Sequence, residues 1–124
     1  MASKSVLAIG IEPAHANLGA MPGLTADLIR TYIDAQIEQL RSLGYEVASC
    51  LIDRGEAAER TVSTALTSRS YDCVIIGAGL RQPPENLLLF EKVINLVHEL
   101  APRSRIAFNT TPVDTAEAVQ RWIR

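Results

Sequence analysis

Two stretches of the chain are apolar without interruption and too short to be helices. Residues 6–11 (VLAIGI) and 73–76 (CVII) are rich in β-branched side chains and are bounded by Glu12-Pro13 and Gly77. Such runs read as strands buried on both faces. Residues 46–52 (EVASCLI) carry more polar positions and end at Asp53-Arg54-Gly55, which predicts an edge strand closed by a turn. Residues 105–109 (RIAFN) predict a short fourth strand.

Between the strands the apolar period changes. Leu28, Ile29, Tyr32, Ile33, Ile37 and Leu40 recur at three and four, with Asp27, Arg30, Asp34, Glu38 and Arg41 mostly opposite them. Thr25 is placed to cap this helix and Gly44 to stop it. A sparser stripe (Ala58, Val62, Ala65, Leu66) predicts a short helix over 56–67. A third helix is expected to start near Pro84, whose missing N–H suits a first turn, and to run to Leu100 before Ala101-Pro102. In the closing segment Asp114 is an expected N-cap with Glu117 three residues on, a capping box, and Val119, Trp122 and Ile123 are its expected buried residues.

The helix over 84–100 is the most apolar. Leu87, Leu88, Leu89, Phe90, Val93, Ile94, Leu96, Val97 and Leu100 cover more than the stripe of roughly 100° that one sheet would bury. Either another helix or another subunit must cover the remainder. A C2 homodimer with this helix at an isologous interface is the expectation.

Strict alternation of strand and helix selects a parallel sheet with helices on both faces. Right-handed crossovers, with the two continuously apolar strands central, give the order 2-1-3-4. The expected architecture is α/β: one domain over 1–124, a three-layer α/β/α sandwich that resembles flavodoxin-like and half-Rossmann folds. The resemblance stops at the fold. A receiver domain would end its third strand with a phosphorylated aspartate where this chain has Gly77, and a flavodoxin would carry a Ser/Thr-rich loop where this chain has EPAHANLGAMPG. The run Gly77-Ala78-Gly79-Leu80-Arg81-Gln82 lacks the third glycine of the dinucleotide fingerprint and follows the wrong strand.

Composition narrows the functional classes. With 124 residues, 48% of them apolar and 21% charged, the chain can build a packed core without a metal or a staple. Twelve basic against 14 acidic residues leave a net charge of −2, which offers no field for a phosphate backbone, so nucleic-acid binding is not expected. No apolar run approaches ~18 residues and the N-terminus has no leader-like stretch, so no membrane association and a cytoplasmic location are expected. Cys50 and Cys73 fall within strands, without the spacing of a zinc or redox motif, and read as small apolar core residues. No metal site is predicted, and no cofactor is specified.

In the order 2-1-3-4 the winding reverses between the first and third strands, and the crevice outside their carboxyl ends is the expected site. Gly77 and Gly79 would bare backbone N–H groups there, and Arg81 would add a forked donor, a pattern suited to a small anionic ligand such as a phosphate or carboxylate. The same glycines also suit a plain strand-to-helix turn with Arg81 solvated. Glu12 and His15, on the long connection, form a candidate acid–base pair, against the simpler reading of a capping Glu12 and an exposed His15. Asp53, Asn109 and Thr110 fall at carboxyl ends of strands and join the candidate ligand-binding set, whereas Thr111 before Pro112 reads as a helix cap. His98 reads as an interface or surface residue. Two functional classes remain: a domain that binds a small anion, with no reaction specified, and a non-catalytic module for self-association or partner binding through the helix over 84–100.

Overall fold

The computed structural model describes residues 3–15, 23 and 25–124. Most of the long connection anticipated after the first strand, residues 16–22 and 24, lies outside the described residues. Strands β1 (Ser5–Ile11), β2 (Glu46–Ile52), β3 (Cys73–Ile76) and β4 (Arg105–Phe108) form one parallel sheet in the order 2-1-3-4. The register is continuous across it: Ile9 lies opposite Cys50 on one side and Ile76 on the other, and Ile76 opposite Phe108. β1 and β3 are therefore central, as their unbroken apolar runs require, because only strands covered on both faces can be apolar at successive positions.

Among the described residues five α-helices cover the sheet: α1 (Ala26–Ser42), α2 (Ala57–Ser68), α3 (Ala78–Arg81), α4 (Leu87–Leu100) and α5 (Thr115–Gln120). Thr25 Oγ1 accepts the Leu28 N–H at 3.1 Å and starts α1, and Gly44, at φ 99°, takes the left-handed conformation that turns the chain into β2. On one face Val62 and Leu66 of α2 and Val93 and Val97 of α4 pack on Leu7, Ile9, Val74 and Ile76. On the other, Leu40 of α1 and Ala116, Ala118 and Val119 of α5 pack on Val6, Cys73, Ile75 and Ala107. The fold is a three-layer α/β/α sandwich.

Three local expectations are corrected. The helix expected over 84–100 opens as a 3-10 turn, Pro84–Asn86, and is α-helical over Leu87–Leu100, and a separate short helix not anticipated, α3, precedes the prolines. Two consecutive prolines remove the N–H groups of residues 83 and 84, so one helix cannot run through, and the Asn86 amide donates to Gly79 O at 3.1 Å to brace the bend. The capping box expected of Asp114 with Glu117 is absent: Asp114 precedes α5 without a side-chain cap bond there, and the box belongs instead to Thr111, which starts the 3-10 turn Pro112–Asp114 leading into α5. Thr111 Oγ1 accepts from Val113 N at 3.2 Å, and the Asp114 carboxylate accepts the Thr111 N–H at 3.1 Å, a capping box one turn earlier, with Pro112 in the first turn. α5 consequently ends at Gln120, so Val119 is buried but Trp122 remains 55% exposed.

The surplus apolar surface of α4 is met mainly by another helix. α4 lies beside α2, with Lys92 Nζ 3.1 Å from a Glu59 carboxylate oxygen, and Leu89, Phe90, Ile94, Leu96 and Leu100 are partly buried against the core. Leu87 and Leu88 stay 60% and 64% exposed.

Candidate functional site

Side-chain volume along the central strands differs between the two faces. β1 sends Leu7, Ile9 and Ile11 to the α2/α4 layer, whereas its other positions, Val6, Ala8 and Gly10, shrink toward the carboxyl end. On β3 Val74 and Ile76 take the first face and Cys73 and Ile75 the second, where only the following Gly77 lacks a side chain. α1 passes over that second face carrying Ile29, Ile33 and Ile37. Isoleucines on the helix cannot fill the space above Ala8, Gly10 and Gly77, because close packing needs matched volumes on facing elements. A pocket of about 440 Å³ results, at the carboxyl ends of β1 and β3, with Ser49 and Leu51 of β2 on one side.

The opposite wall is built from the β3–α3 turn, the two prolines and residues 109–112. Its key is Asn109, a buried side chain just past β4. Asn109 Oδ1 accepts the Ala78 N–H at 2.7 Å, and its Nδ2 donates to Thr115 Oγ1 at 3.0 Å, joining the start of α3 to the start of α5. Gln82 Nε2 donates to Thr110 O at 3.3 Å. Thr110 donates from N and Oγ1 to the Asp114 carboxylate at 2.9 and 2.6 Å. Burial pushes the Asp114 carboxyl up, but these donors, with the Thr111 N–H, outweigh it and hold the group below the ordinary carboxylate range.

Among the described residues no charged side chain lines the pocket. Most of its polar groups are already engaged. At the β3–α3 turn the Gly77 N–H donates to Ile9 O at 2.9 Å and the Ala78 N–H to Asn109, whereas the Gly79 N–H and, across the pocket, the Ser49 hydroxyl have no partner among the described residues.

Of the residues singled out from sequence, Gly77, Gly79, Asn109 and Thr110 line this pocket, and Glu12, His15, Asp53 and Arg81 do not. The Arg81 guanidinium lies over the Phe108 ring, 5.3 Å from its centroid, donates to Asn109 O, and keeps a buried Nε with no partner among the described residues. It braces the outer side of the wall. Glu12 is paired through its carboxylate with Arg30 of α1, and that hydrogen bond, opposed by partial burial, lowers its pKa. His15 donates its backbone N–H to Glu12 O at 2.8 Å, and its exposed side chain acts on the Glu12 carboxylate only through charge, as the smallest of the influences that lower it, with no hydrogen bond between the two side chains. The acid–base pair is thus not assembled. Asp53 Oδ1 accepts the Gly55 N–H at 2.9 Å and caps its own exposed turn.

Ala8, Gly10, Ile29, Ile33 and Ile37 were not anticipated as site residues. The signal was present as the alternate-position taper in VLAIGI and as an isoleucine stripe continuing to the first turn of α1.

Neither cysteine is poised as a nucleophile. Burial, with Asp72 adding to it, pushes the Cys73 thiol up to about 12, and burial raises Cys50 as well. The described residues gather no group of three or more His, Cys, Asp or Glu, and no described helix is long and apolar enough to cross a membrane.

No family model matches the chain, and no curated protein matches it at a significant level.

Proposed function

We propose that this protein binds a small molecule in the pocket at the carboxyl ends of β1 and β3. The observation that carries the reading is a cavity of about 440 Å³ at the reversal point of a doubly wound sheet, where such folds place ligands, with a wall cross-braced through Asn109. The residues that line it bind and orient; among the described ones none is His, Cys, Asp, Glu, Lys or Arg, and the reading is of a binding domain with no reaction assigned. The anion expected from the sequence meets little support here, since Arg81 and the Ala78 N–H are engaged elsewhere. Two buried, unpaired thiols fit the reducing cytoplasm. The test is thermal unfolding against a panel of phosphates, nucleotides, carboxylates and neutral aliphatic and aromatic compounds. At least one class is expected to raise the melting temperature of the wild type and not of Asn109→Ala; a panel that moves neither sinks the proposal.

A second reading, self-association through α4, is supported by Leu87 and Leu88, adjacent and largely exposed. It predicts a dimer in sedimentation at micromolar concentration that Leu88→Lys converts to a monomer. A monomeric wild type removes it.

A further inference from the structure

We infer that the ligand of this pocket is uncharged, with a compact apolar body and its single polar group held at the rim. The inference rests on the binding reading above and names the chemistry of what is bound.

Charge is the first argument. A carboxylate, phosphate or ammonium inside the pocket would lose its water and meet no opposite charge, because no Lys, Arg, His, Asp or Glu lines it among the described residues. Stripping an ion of solvent without a partner is far costlier than apolar contact can offset. The neighbouring ions do not change this: Arg81 is committed to Asn109 O and the Phe108 face, and Arg30 to Glu12. Both are outside the lining.

The surface itself is the second argument. Ala8, Gly10, Leu51 and Ile75 form the sheet side and Ile29, Ile33 and Ile37 the helix side, all without a polar side-chain atom. A matching ligand presents hydrocarbon or an aromatic ring to both. The Gly79 N–H and the Ser49 hydroxyl, unpaired among the described residues, stand on opposite sides of the pocket and so do not gather on the several oxygens of one phosphate. The third argument is size. A space of about 440 Å³ lies in the range of small-ligand sites and excludes a peptide or nucleic-acid chain.

The test uses N-phenyl-1-naphthylamine, a neutral environment-sensitive fluorophore, at pH 8 with the full chain, displaced by straight-chain 1-alkanols, alkanoates and alkylammonium ions of four to nine carbons. The probe is expected to bind and the alkanols to displace it, with affinity rising about fourfold per methylene until the pocket is full. Ions of equal chain length should be at least tenfold weaker. Ala8→Leu and Gly10→Val, which grow into the space, should abolish probe binding with the unfolding midpoint retained; Ser49→Phe, on the exposed edge strand, serves if either does not fold. Leu88→Lys should leave the signal unchanged.

Displacement by alkanoates or inorganic phosphate as good as that by alkanols overturns the neutral ligand and leaves the pocket reading standing. Loss of the signal in Leu88→Lys, but not in the filling variants, places the probe on α4 and overturns the inference. No binding by any class, with no thermal stabilisation, removes both.

Discussion

The two faces of the sheet are made from the same strands and end differently. Toward α2 and α4, Leu7, Ile9, Val74 and Ile76 meet Val62, Leu66, Val93 and Val97 in one continuous cluster. Toward α1 and α5, packing is close only around Val6, Leu40, Tyr45 and Val119, and above Ala8 and Gly10 the layers part to leave the pocket. Alternate residues of one strand point to opposite faces, so one six-residue run can specify a filled layer and an open one together. β1 keeps Leu, Ile, Ile on one side and steps down through Val, Ala, Gly on the other. The cavity is written into side-chain size on one face, with no disturbance to the ladder that holds the sheet.

The sharpest way to break this comparison is to shorten one residue on each side. Leu7→Ala, on the filled face, should cost about 2–5 kcal/mol, because a fully packed site leaves a void when atoms are removed. Ile33→Ala, on the pocket wall and only half-buried, should cost about 1 kcal/mol, since its outer side borders open space already. Urea unfolding midpoints with equal slopes measure both. Equal losses would mean that the two faces are packed alike.

Next in size is the brace of the open face. Asn109→Ala removes the acceptor of the Ala78 N–H and the donor to Thr115 together, leaving a buried N–H unpaired, and should cost about 1–3 kcal/mol. Hydrogen exchange should quicken at Ala78 and Thr115 more than at Leu7 or Val62. Uniform loss of protection would show that Asn109 supports the whole sheet and not the pocket wall.

Smaller, and dependent on pH, is the contribution of Asp114. Its carboxyl titrates below the ordinary range in the folded chain, so the ionised form favours folding. That stability is fully present above the unfolded carboxyl value of about 4 and is lost as pH falls through the lower folded value. Asp114→Ala should therefore cost about 1 kcal/mol, as removal of a helix cap does, constant from pH 8 to 5 and shrinking below pH 4. A difference that grows toward acid would contradict the hydrogen bonds from Thr110 and Thr111.

Much of this was legible in the chain. Continuous apolar runs identified β1 and β3 as central, and alternation with right-handed crossovers then left the order 2-1-3-4. Gly77, Gly79, Asn109 and Thr110 could be placed at the pocket because topology alone locates the carboxyl ends of strands. Side-chain direction was not legible. Arg81 is three residues past the α3 start, yet an aromatic face and a carbonyl draw it outward. Glu12 sits beside His15 in sequence, but Arg30, one turn into a helix that folds back over β1, takes its carboxylate. Polar side chains near a pocket choose among partners brought from elsewhere in the chain, and periodicity says nothing of those. Apolar volume is different, because its direction follows from strand alternation, and the taper of β1 could have marked the cavity.

The smallest expected effect tests that taper directly. Gly10 lies in β1 at an ordinary negative φ, and a Cβ built there meets Leu51 Cδ2 at 3.6 Å, a normal van der Waals contact. Glycine at this place is therefore not required by the backbone. Gly10→Ala should leave the midpoint unchanged or raise stability by up to about 1 kcal/mol, since it restricts the unfolded chain without straining the folded one. Gly44, at φ 99°, is the control: Gly44→Ala should cost about 1 kcal/mol in the same measurement. If Gly10→Ala is as harmful as Gly44→Ala, the small residue is serving the strand. If it is harmless to folding and weakens displacement by the longer alkanols, its absent side chain is room kept for a ligand.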